Sequence, residues 1–446
     1  MSKPRILFFA RGYQADFYPA LVDDSYDAVF VTLTRGEKAR VEANGRTVAA
    51  CFEEDFDSLQ PAAVPDNYLG KSYMADRFLG RFDHVRRREI LGKEIAFWSQ
   101  LLDRNRPAAV VNELVAIEIS EVLLIESRRR DIRYLAPMNC PVEGYFYWMP
   151  NPLSLSARYL DPVTAGDRAR GLAKAYATEV LQKNYRPFYV RNLARRRAWR
   201  PLGAAALKYL FWQLREIGRG NSFRYEDYRE EYGKRLAVYL RSLTTRYDRL
   251  EDIDPQTELI FYPLHQEPEA TLNYMSEFHA NQVSTIENLM KCLGPQQALV
   301  VKEHPVDKGA LLRSKFLDLK RRYSSLYFLP AEIHGRQVLD RASRVVTLTS
   351  SVGWEAAAAG RSVYVLGEIF FDQLPGITRI ESFGQLRAEL RKPPRDETEL
   401  TPEIFEKFVA GMVERSQPGN PFQHHGLFSP ENVAHVVAAI RRAASL

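Results

Sequence analysis

The stretch QALVVKEHP (residues 297–305) decides the fold class of the second half of the chain. Its apolar residues form a short run typical of a buried parallel strand, and charged residues and a proline end that run at once. Four similar runs surround it: TELIFYPLH (257–265), SLYFLP (325–330), SRVVTLTSS (343–351) and RSVYVLG (361–367). Segments with helical spacing separate these strands, so this half is predicted to be a doubly wound α/β domain.

The first half of the chain contains the same kinds of segment. RILFFA (5–10), DAVFVTL (27–33) and PAAVVNE (107–113) predict buried parallel strands. LVAIEISEVLLIESRRR (114–130) predicts a helix, and IRYLAPM (132–138) predicts the strand that follows it. This order indicates a second Rossmann-like domain, but without the glycine-rich dinucleotide loop of dehydrogenases, because FARGYQ lacks that glycine pattern.

The length of 446 residues is too great for one ordinary hydrophobic core. We predict an N-terminal Rossmann-like domain over residues 1–250, with a helical insertion at about 160–250. A C-terminal Rossmann-like domain is predicted over 251–425, followed by a helix over 426–446 that packs back. Two such domains in tandem indicate an α/β fold of the GT-B-like class, in which the active site lies in the interdomain cleft.

The composition is that of a soluble globular protein, with 46% hydrophobic and 26% charged residues. The net charge of +6 suits phosphorylated ligands, polyanions or an anionic membrane surface. Cys51, Cys140 and Cys292 have no paired spacing, which argues against a disulfide framework and a zinc site. The first apolar run is too short for a signal peptide, so we expect a cytoplasmic protein.

Basic and aromatic residues alternate in the region 186–219, which contains a single acid, Glu216. The plainest interpretation is a solvated helical insertion whose aromatic side chains pack on the domain. The region is also a candidate for peripheral contact with the inner face of the cytoplasmic membrane. Nucleic-acid binding is not expected, because the basic residues cluster in one segment and no nucleic-acid-binding motif is present.

Polar residues follow three predicted strands of the second half, where ligands bind in open α/β sheets. Hydroxyl groups before a helix favour an anion site, because the first amides of a helix are unpaired. An acid one turn into such a helix is placed for ribose hydroxyls. The residues concerned are His265, Glu267 and Glu269 after the first strand, Lys302, Glu303, His304 and Pro305 after the second, and Thr349, Ser350, Ser351 and Glu355 after the fourth.

The elements VKEHP (301–305) and TSSVGWEAAAAG (349–360) together resemble the capsular polysaccharide synthesis family, which includes retaining β-Kdo transferases. The K-x-H-P element and the paired serines are also similar to bacterial sialyltransferases that use CMP-sialic acid. The resemblance implies a CMP-activated donor whose phosphate, cytosine and ribose each have a binding set. These sets are His304, Ser350 and Ser351 for the phosphate, Lys302, Glu303 and Pro305 for the base, and Glu355 for the ribose. Thr349, directly before the paired serines, is also assigned to the nucleotide site.

The segment YPLHQEPEAT (262–271) is similar to a strand end of the Kdo transferases, in which Pro-Leu-Gln precedes a nucleophilic aspartate. The matching position here is Glu269. His265 replaces the glutamine and a glutamate replaces the aspartate, so the donor sugar and the stereochemistry both stay open. Glu267 is the competing carboxylate.

The resemblance implies an enzyme that transfers an ulosonic acid to a bacterial surface polysaccharide or glycolipid. Kdo is the first choice of donor sugar, and pseudaminic, legionaminic and sialic acid are rivals. A carboxylate nucleophile predicts retention. Glu113, at the end of a strand of the first domain, is the candidate general base for the acceptor hydroxyl.

No metal or cofactor is expected, because the leaving group is a phosphate monoester and not a diphosphate. The segment DFD (55–57) imitates a metal-binding motif of other glycosyltransferases, and we interpret it as solvated surface. Two other functions stay open. One is a polyol-phosphate transferase of the teichoic-acid type with a cytidine diphosphate donor, and the other is a non-catalytic capsule assembly or export factor.

Overall fold

The computed structural model describes residues 3–68, 70–182, 223–226, 246–267, 269–305, 307–393 and 400–445. Most of the predicted helical insertion, and all of the region 186–219, lie outside the described residues. In the part of the chain that the structure describes, no helix is both long enough and apolar enough to cross a membrane.

The strands belong to three sheets. Their bounds are β1 (Arg5–Phe9), β2 (Asp27–Thr32), β3 (Val48–Cys51), β4 (Ala109–Val111), β5 (Arg133–Leu135), β6 (Pro137–Asn139), β7 (Tyr145–Trp148), β8 (Glu258–Pro263), β9 (Gln297–Lys302), β10 (Leu326–Leu329), β11 (Ala342–Thr347), β12 (Ser362–Val365), β13 (Ile377–Arg379) and β14 (Gln417–Pro418).

The α-helices of the described residues alternate with these strands. They are α1 (Gln14–Phe17), α2 (Arg35–Ala43), α3 (Phe52–Asp55), α4 (Ser72–Ala75), α5 (His84–Asn105), α6 (Glu118–Arg128), α7 (Asp167–Val180), α8 (Ala270–Asn273), α9 (Gln282–Cys292), α10 (Ser314–Arg322), α11 (Gly335–Arg341), α12 (Ser351–Ala358), α13 (Phe383–Arg391), α14 (Pro402–Glu414) and α15 (Pro430–Ala444). Single 3-10 turns are formed by Tyr18–Leu21, Leu79–Arg81, Ala157–Tyr159, Leu250–Asp252, Glu277–His279 and Ala310–Leu312.

Two of the sheets are wholly parallel. The first has the strand order β3-β2-β1-β4-β5, and the second has the order β10-β9-β8-β11-β12-β13. In each sheet the chain begins in the middle, runs to one edge and then crosses to the other side, as in Rossmann-like folds. The predicted fold class, α/β with two Rossmann-like sheets, is therefore confirmed.

The central strands of the second sheet are buried on both faces. Ile260, Phe261 and Tyr262 of β8 are fully buried, and so are Val300 and Val301 of β9. Helices cover both faces of a parallel sheet, so consecutive side chains of its central strands must be apolar. This requirement explains why these strands were visible in the sequence as unbroken apolar runs.

Some strands were not predicted, and they are short strands or lie at sheet edges. β3 and β13 are the outer strands of the two parallel sheets, and β13 is only half-buried along its length. The predicted strand IRYLAPM breaks at Ala136 into two strands: β5 joins the first parallel sheet, and β6 joins an antiparallel sheet of order β14-β7-β6. The segment DFD begins at the last residue of α3, with Asp57 exposed and Asp55 half-buried.

The chain divides into two compact units. Among the described residues, the first unit contains 3–153, 223–226 and 415–445, and the second contains 154–182 and 246–414. The predicted boundary at 250 therefore differs from the observed division at 153/154. The reason is α7, which packs against α14 and buries Ala173, Tyr176 and Val180 in the second unit. The predicted interdomain cleft stays a prediction.

The last helix, α15, belongs to the core of the first unit. Its buried residues Val436, Ala439 and Ile440 are part of the hydrophobic cluster that contains Ile6 and Phe8 of β1. Shortly before it, β14 pairs with β7 in an antiparallel manner. The first unit is thus closed by a segment that follows the second unit in sequence.

We expect Ile440→Ala to lower the free energy of unfolding of the first unit by about 2–5 kcal/mol, because it removes a fully buried side chain and leaves a cavity. Chemical denaturation followed by circular dichroism measures the change. The exposed neighbour Arg441 provides the control, since Arg441→Gln should change stability by less than about 0.5 kcal/mol. Equal stability of the two variants would contradict the packing of α15.

Candidate functional site

The carboxyl ends of β8, β9 and β11 lie next to each other at one edge of the second sheet. The chain moves outward from β8 on both sides, so the gap between β8 and β11 is the point where the strand order reverses. Ligands of open α/β sheets bind in the crevice at such a point. The structure therefore brings together the predicted residues that follow these three strands.

A hydrogen bond crosses this point between the loops after β8 and β11. The backbone N–H of Thr349 donates to Nε2 of His265 at 3.4 Å, and His265 is only 5% exposed. Burial, together with the charge of the neighbouring His304, lowers the pKa of His265 to about 3. His265 is therefore neutral near pH 7, and because Nε2 accepts, the proton is assigned to Nδ1.

The paired serines form the start of α12. The side chain of Ser350 caps the helix, with its Oγ accepting from the backbone N–H of Val352 at 3.2 Å. The N–H of Ser350 itself donates to Oγ1 of Thr347 at 3.0 Å, which fixes the loop before the helix. A hydroxyl that accepts one bond keeps its own proton for another, so Ser350 and Ser351 can donate to an anion at this helix start.

Glu303 holds the loop that follows β9. Its buried carboxylate accepts from the hydroxyl of Tyr247 at 2.7 Å, from the N–H of Leu311 at 2.9 Å and from the N–H of Gly309 at 2.9 Å. Burial raises the pKa of Glu303, and these bonds oppose that rise. Since all these contacts lie within the protein, the structure gives this carboxylate a clear structural role, and its predicted contact with the base stays a prediction.

Lys302, the last residue of β9, is also buried. Its Nζ donates to the carbonyl oxygen of Glu303 at 3.0 Å and to that of Ala331 at 3.3 Å, which ties the ends of β9 and β10 together. Pro305 is exposed in the turn that follows, and the carbonyl of His304 accepts from the N–H of Asp307 there at 3.1 Å. His304 thus lies at the rim of the site, near His265.

The two carboxylates after β8 differ in their surroundings. Glu267 is held on both sides: it accepts from Nε2 of Gln282 at 2.8 Å and from Nη1 of Arg313 at 3.1 Å. Glu269 is half-buried at the residue before α8. Burial raises the pKa of Glu269 to about 7, although a hydrogen bond with Thr271 acts in the opposite direction. Glu267 is therefore a positioned ion-pair partner, whereas no ion pair with Glu269 occurs among the residues that the structure describes.

Glu355 lies one turn into α12 and is buried. Burial raises the pKa of Glu355 to about 7, and the charges of Arg336 and Lys302 act in the opposite direction. A carboxylate with this environment can accept hydrogen bonds from hydroxyl groups without carrying a fixed ion pair. The predicted set for a nucleotide thus shares one edge of the sheet.

Glu113 lies in the first unit, after β4. Its Oε1 accepts from Nη1 of Arg11 at 2.6 Å, and Nη2 of Arg11 donates to Glu226 at 3.1 Å. Glu113 and the residues after β8, β9 and β11 thus belong to different units, and the predicted role of Glu113 stays a prediction. No cluster of three or more metal-ligating side chains occurs among the residues that the structure describes.

Three residues of this site were not assigned a role from the sequence. His265 was noted for its strand-end position, but its hydrogen bond with Thr349 joins two loops that are far apart in sequence. Gln282 is fully buried and fixes the residue that follows β8 and Leu264. Its Oε1 accepts from the N–H of His265 at 2.7 Å, and its Nε2 donates to the carbonyl of His265 at 3.0 Å. Neither Gln282 nor Arg336 belongs to a recognisable short motif, so no sequence signal could have found them.

Comparison with protein families gives one match. Residues 219–407 match the family described as "Capsule polysaccharide biosynthesis protein", and the loops after β8, β9 and β11 lie within this segment. The predicted resemblance to the capsular polysaccharide synthesis family is confirmed. No curated protein has a sequence that matches the chain.

Several solved structures match the chain at low sequence identity and low TM-score. The β-Kdo 2,4 transferase of KpsC from Thermosulfurimonas dismutans is 14% identical with a TM-score of 0.35, over 75% of this chain and 87% of that one. The β-Kdo 2,7 transferase of the same KpsC is 13% identical with a TM-score of 0.35, over 81% of this chain and 98% of that one. The UDP-GlcNAc 2-epimerase of Neisseria meningitidis is 9% identical with a TM-score of 0.28, over 98% of this chain and 99% of that one. Similarity at this level transfers no activity to this chain.

We expect Gln282→Leu to lower the free energy of unfolding by about 1–3 kcal/mol, because the buried backbone groups of His265 lose their partner. Denaturant unfolding measures the loss. Gln296 is exposed and supplies the matched control, Gln296→Leu, which should be close to neutral. A neutral effect of Gln282→Leu would mean that the end of β8 is held by other contacts.

Proposed function

We propose that the chain is a glycosyltransferase that moves an ulosonic acid, Kdo first, from a CMP-activated donor to a bacterial surface polysaccharide or glycolipid. The observation that carries the proposal is the grouping of His304 with the hydroxyl-capped start of α12 at the strand-order reversal of the second sheet. This grouping lies inside the segment that matches the capsule polysaccharide biosynthesis family.

The proposed phosphate site uses the charge that develops when the donor bond breaks. Departure of CMP places negative charge on its phosphate, and donors aimed at that charge lower the barrier. His304 and the hydroxyls of Ser350 and Ser351 supply these donors, together with the first amides of α12. His265 positions the loop before α12, because its Nε2 accepts a hydrogen bond from the backbone N–H of Thr349.

Glu269 is the proposed nucleophile. The Arg313 ion pair restrains the competing Glu267, whereas Glu269 keeps a raised pKa of about 7. The ionised carboxylate of Glu269 would attack the anomeric carbon while the bond to the phosphate oxygen breaks, and an acceptor hydroxyl would then displace it with net retention. Glu113 stays the proposed base for that hydroxyl, with Oε1 already bound by Arg11.

The first test is a thermal-shift comparison of CMP, CDP, UMP, UDP and GDP. A ligand that binds only the folded state raises the melting temperature by mass action, with about 2.7 kcal/mol of stabilisation at a concentration of 100 Kd. We expect CMP to give the largest shift and His304→Ala to reduce it. The exposed His425 provides the control, since His425→Ala should keep the full shift.

The other outcomes of the thermal-shift comparison would favour other functions or donors. A preference for CDP would favour the polyol-phosphate transferase, and a preference for UDP or GDP would contradict the CMP donor class. Absence of any shift with all five nucleotides would favour a non-catalytic capsule assembly or export factor.

The nucleophile has a separate test by intact-protein mass spectrometry. We expect incubation with CMP-Kdo and no acceptor to add one Kdo residue to the protein, and Glu269→Gln to remove this adduct while Glu267→Gln retains it. The rate of adduct formation should rise with pH through about 7, because only ionised Glu269 can attack. An adduct that persists in Glu269→Gln would contradict the assignment.

A further inference from the structure

A half-buried arginine beside the proposed donor site lacks a partner for part of its guanidinium group. Arg336 is the second residue of α11, and its side chain is only 18% exposed. Its Nη1 atom is buried and has no hydrogen-bond partner among the described residues. Its Nε atom lies 3.3 Å from Oδ1 of Asp340, whose side chain is 57% exposed.

The start of α11 lies against the start of α12. A methyl group added at Gly335 would be 4.0 Å from Cγ2 of Val352, in the first turn of α12. The charge of Arg336 also reaches Glu355, one turn further along the same helix, and opposes the rise of the pKa of Glu355 that burial causes. Arg336 therefore borders the same helix start that the proposed phosphate site uses.

Two cations act on Glu355, and Nη1 of Arg336 is buried without an acceptor among the described residues. Lys302 already donates to two carbonyl oxygens. A buried guanidinium N–H without an acceptor is costly, so a site of this kind is completed when an acceptor arrives. The planar fork of arginine suits an oxyanion, because two parallel N–H groups can bind two oxygens at once.

A second group at the same helix start also lacks a partner. Oγ1 of Thr349 is buried and makes no hydrogen bond with any described residue, and it lies in the loop just before α12. A threonine hydroxyl can donate one hydrogen bond to an oxyanion. Arg336 and Thr349 thus leave two unused donors near one helix start, and an anionic ligand could accept from both.

We propose that Arg336 is a specificity-determining residue that binds an oxyanion of the donor substrate, with Thr349 as its hydroxyl partner. The inference rests on the proposed function, because the donor carries two oxyanions close to the anomeric carbon. One is the phosphate of CMP, and the other is the carboxylate of the ulosonic acid. Both have the geometry that a guanidinium fork binds, and the experiment separates them.

The experiment measures the affinities of cytidine, CMP and CMP-Kdo for the wild type and for Arg336→Gln by isothermal titration calorimetry. Loss of a charge-assisted pair is expected to weaken the affected ligand by about 10- to 100-fold. Cytidine has no oxyanion, so its affinity should not change. A loss that is already present with CMP assigns the phosphate to Arg336, whereas a loss only with CMP-Kdo assigns the carboxylate.

Two further variants make the result specific. Arg336→Lys keeps the charge but loses the fork, so it should restore part of the affinity. Arg321 is 76% exposed and pairs with Asp318 on its own helix, so Arg321→Gln is the matched control and should bind as the wild type does. The melting temperature of each variant without ligand reports whether the fold is intact.

The outcomes separate this inference from the proposed function. Suppose that the wild type binds CMP and CMP-Kdo and that Arg336→Gln binds each of them with the wild-type affinity. The proposed role of Arg336 is then wrong, and the proposed function stands. An equal loss for cytidine would also overturn the inference, because a base or ribose contact would then explain it. If the wild type binds neither CMP nor CMP-Kdo, the proposed function fails and this inference fails with it.

Discussion

The parallel pairing of β8 with both β9 and β11 is the constraint on which the rest of the second unit depends. Parallel strands require long crossovers, and these crossovers place helices on both faces of the sheet. The strands between the helices must then be apolar along their length. Charged and hydroxyl side chains are more easily accommodated where the strands end, and in a parallel sheet all the carboxyl ends lie on one edge. The concentration of polar groups at this edge is therefore a consequence of the topology.

Polar groups at such an edge are costly to bury, and the protein satisfies most of them with its own backbone. Glu303 binds two backbone amides of the following loop, Lys302 binds two carbonyls, and Gln282 binds both backbone groups of His265. These side chains fix the loops after β8 and β9 before any ligand arrives. Preorganised donors need no rearrangement when charge develops, which is the main advantage of a rigid site in catalysis. The groups left without partners, at Arg336 and Thr349, stand out against this background.

The sequence predicted the parts of the fold that depend on local pattern. The central strands were visible because full burial demands unbroken apolar runs, and the site was located because polar residues follow those runs. β3 and β13 escaped prediction because an edge strand needs no such run. The domain boundary differed because α7 joins the second unit through its packing on α14, and packing partners cannot be identified from spacing. The same limit applies to the bond from Thr349 to His265 and to the role of Glu303, whose partners are set by the folded loops.

The position of α15 has a consequence for how the protein folds during synthesis. Its buried face, with Val436 and Ile440, completes a core that begins at β1, so the strands of the first unit leave the ribosome long before the helix that covers them. All the strands of the second sheet are made in between, and domains generally fold as units while the chain emerges. The second sheet can therefore reach its native pairing while part of the first core is still exposed to water. A chaperone that binds apolar surface would find its target in this nascent chain on the amino-terminal sheet.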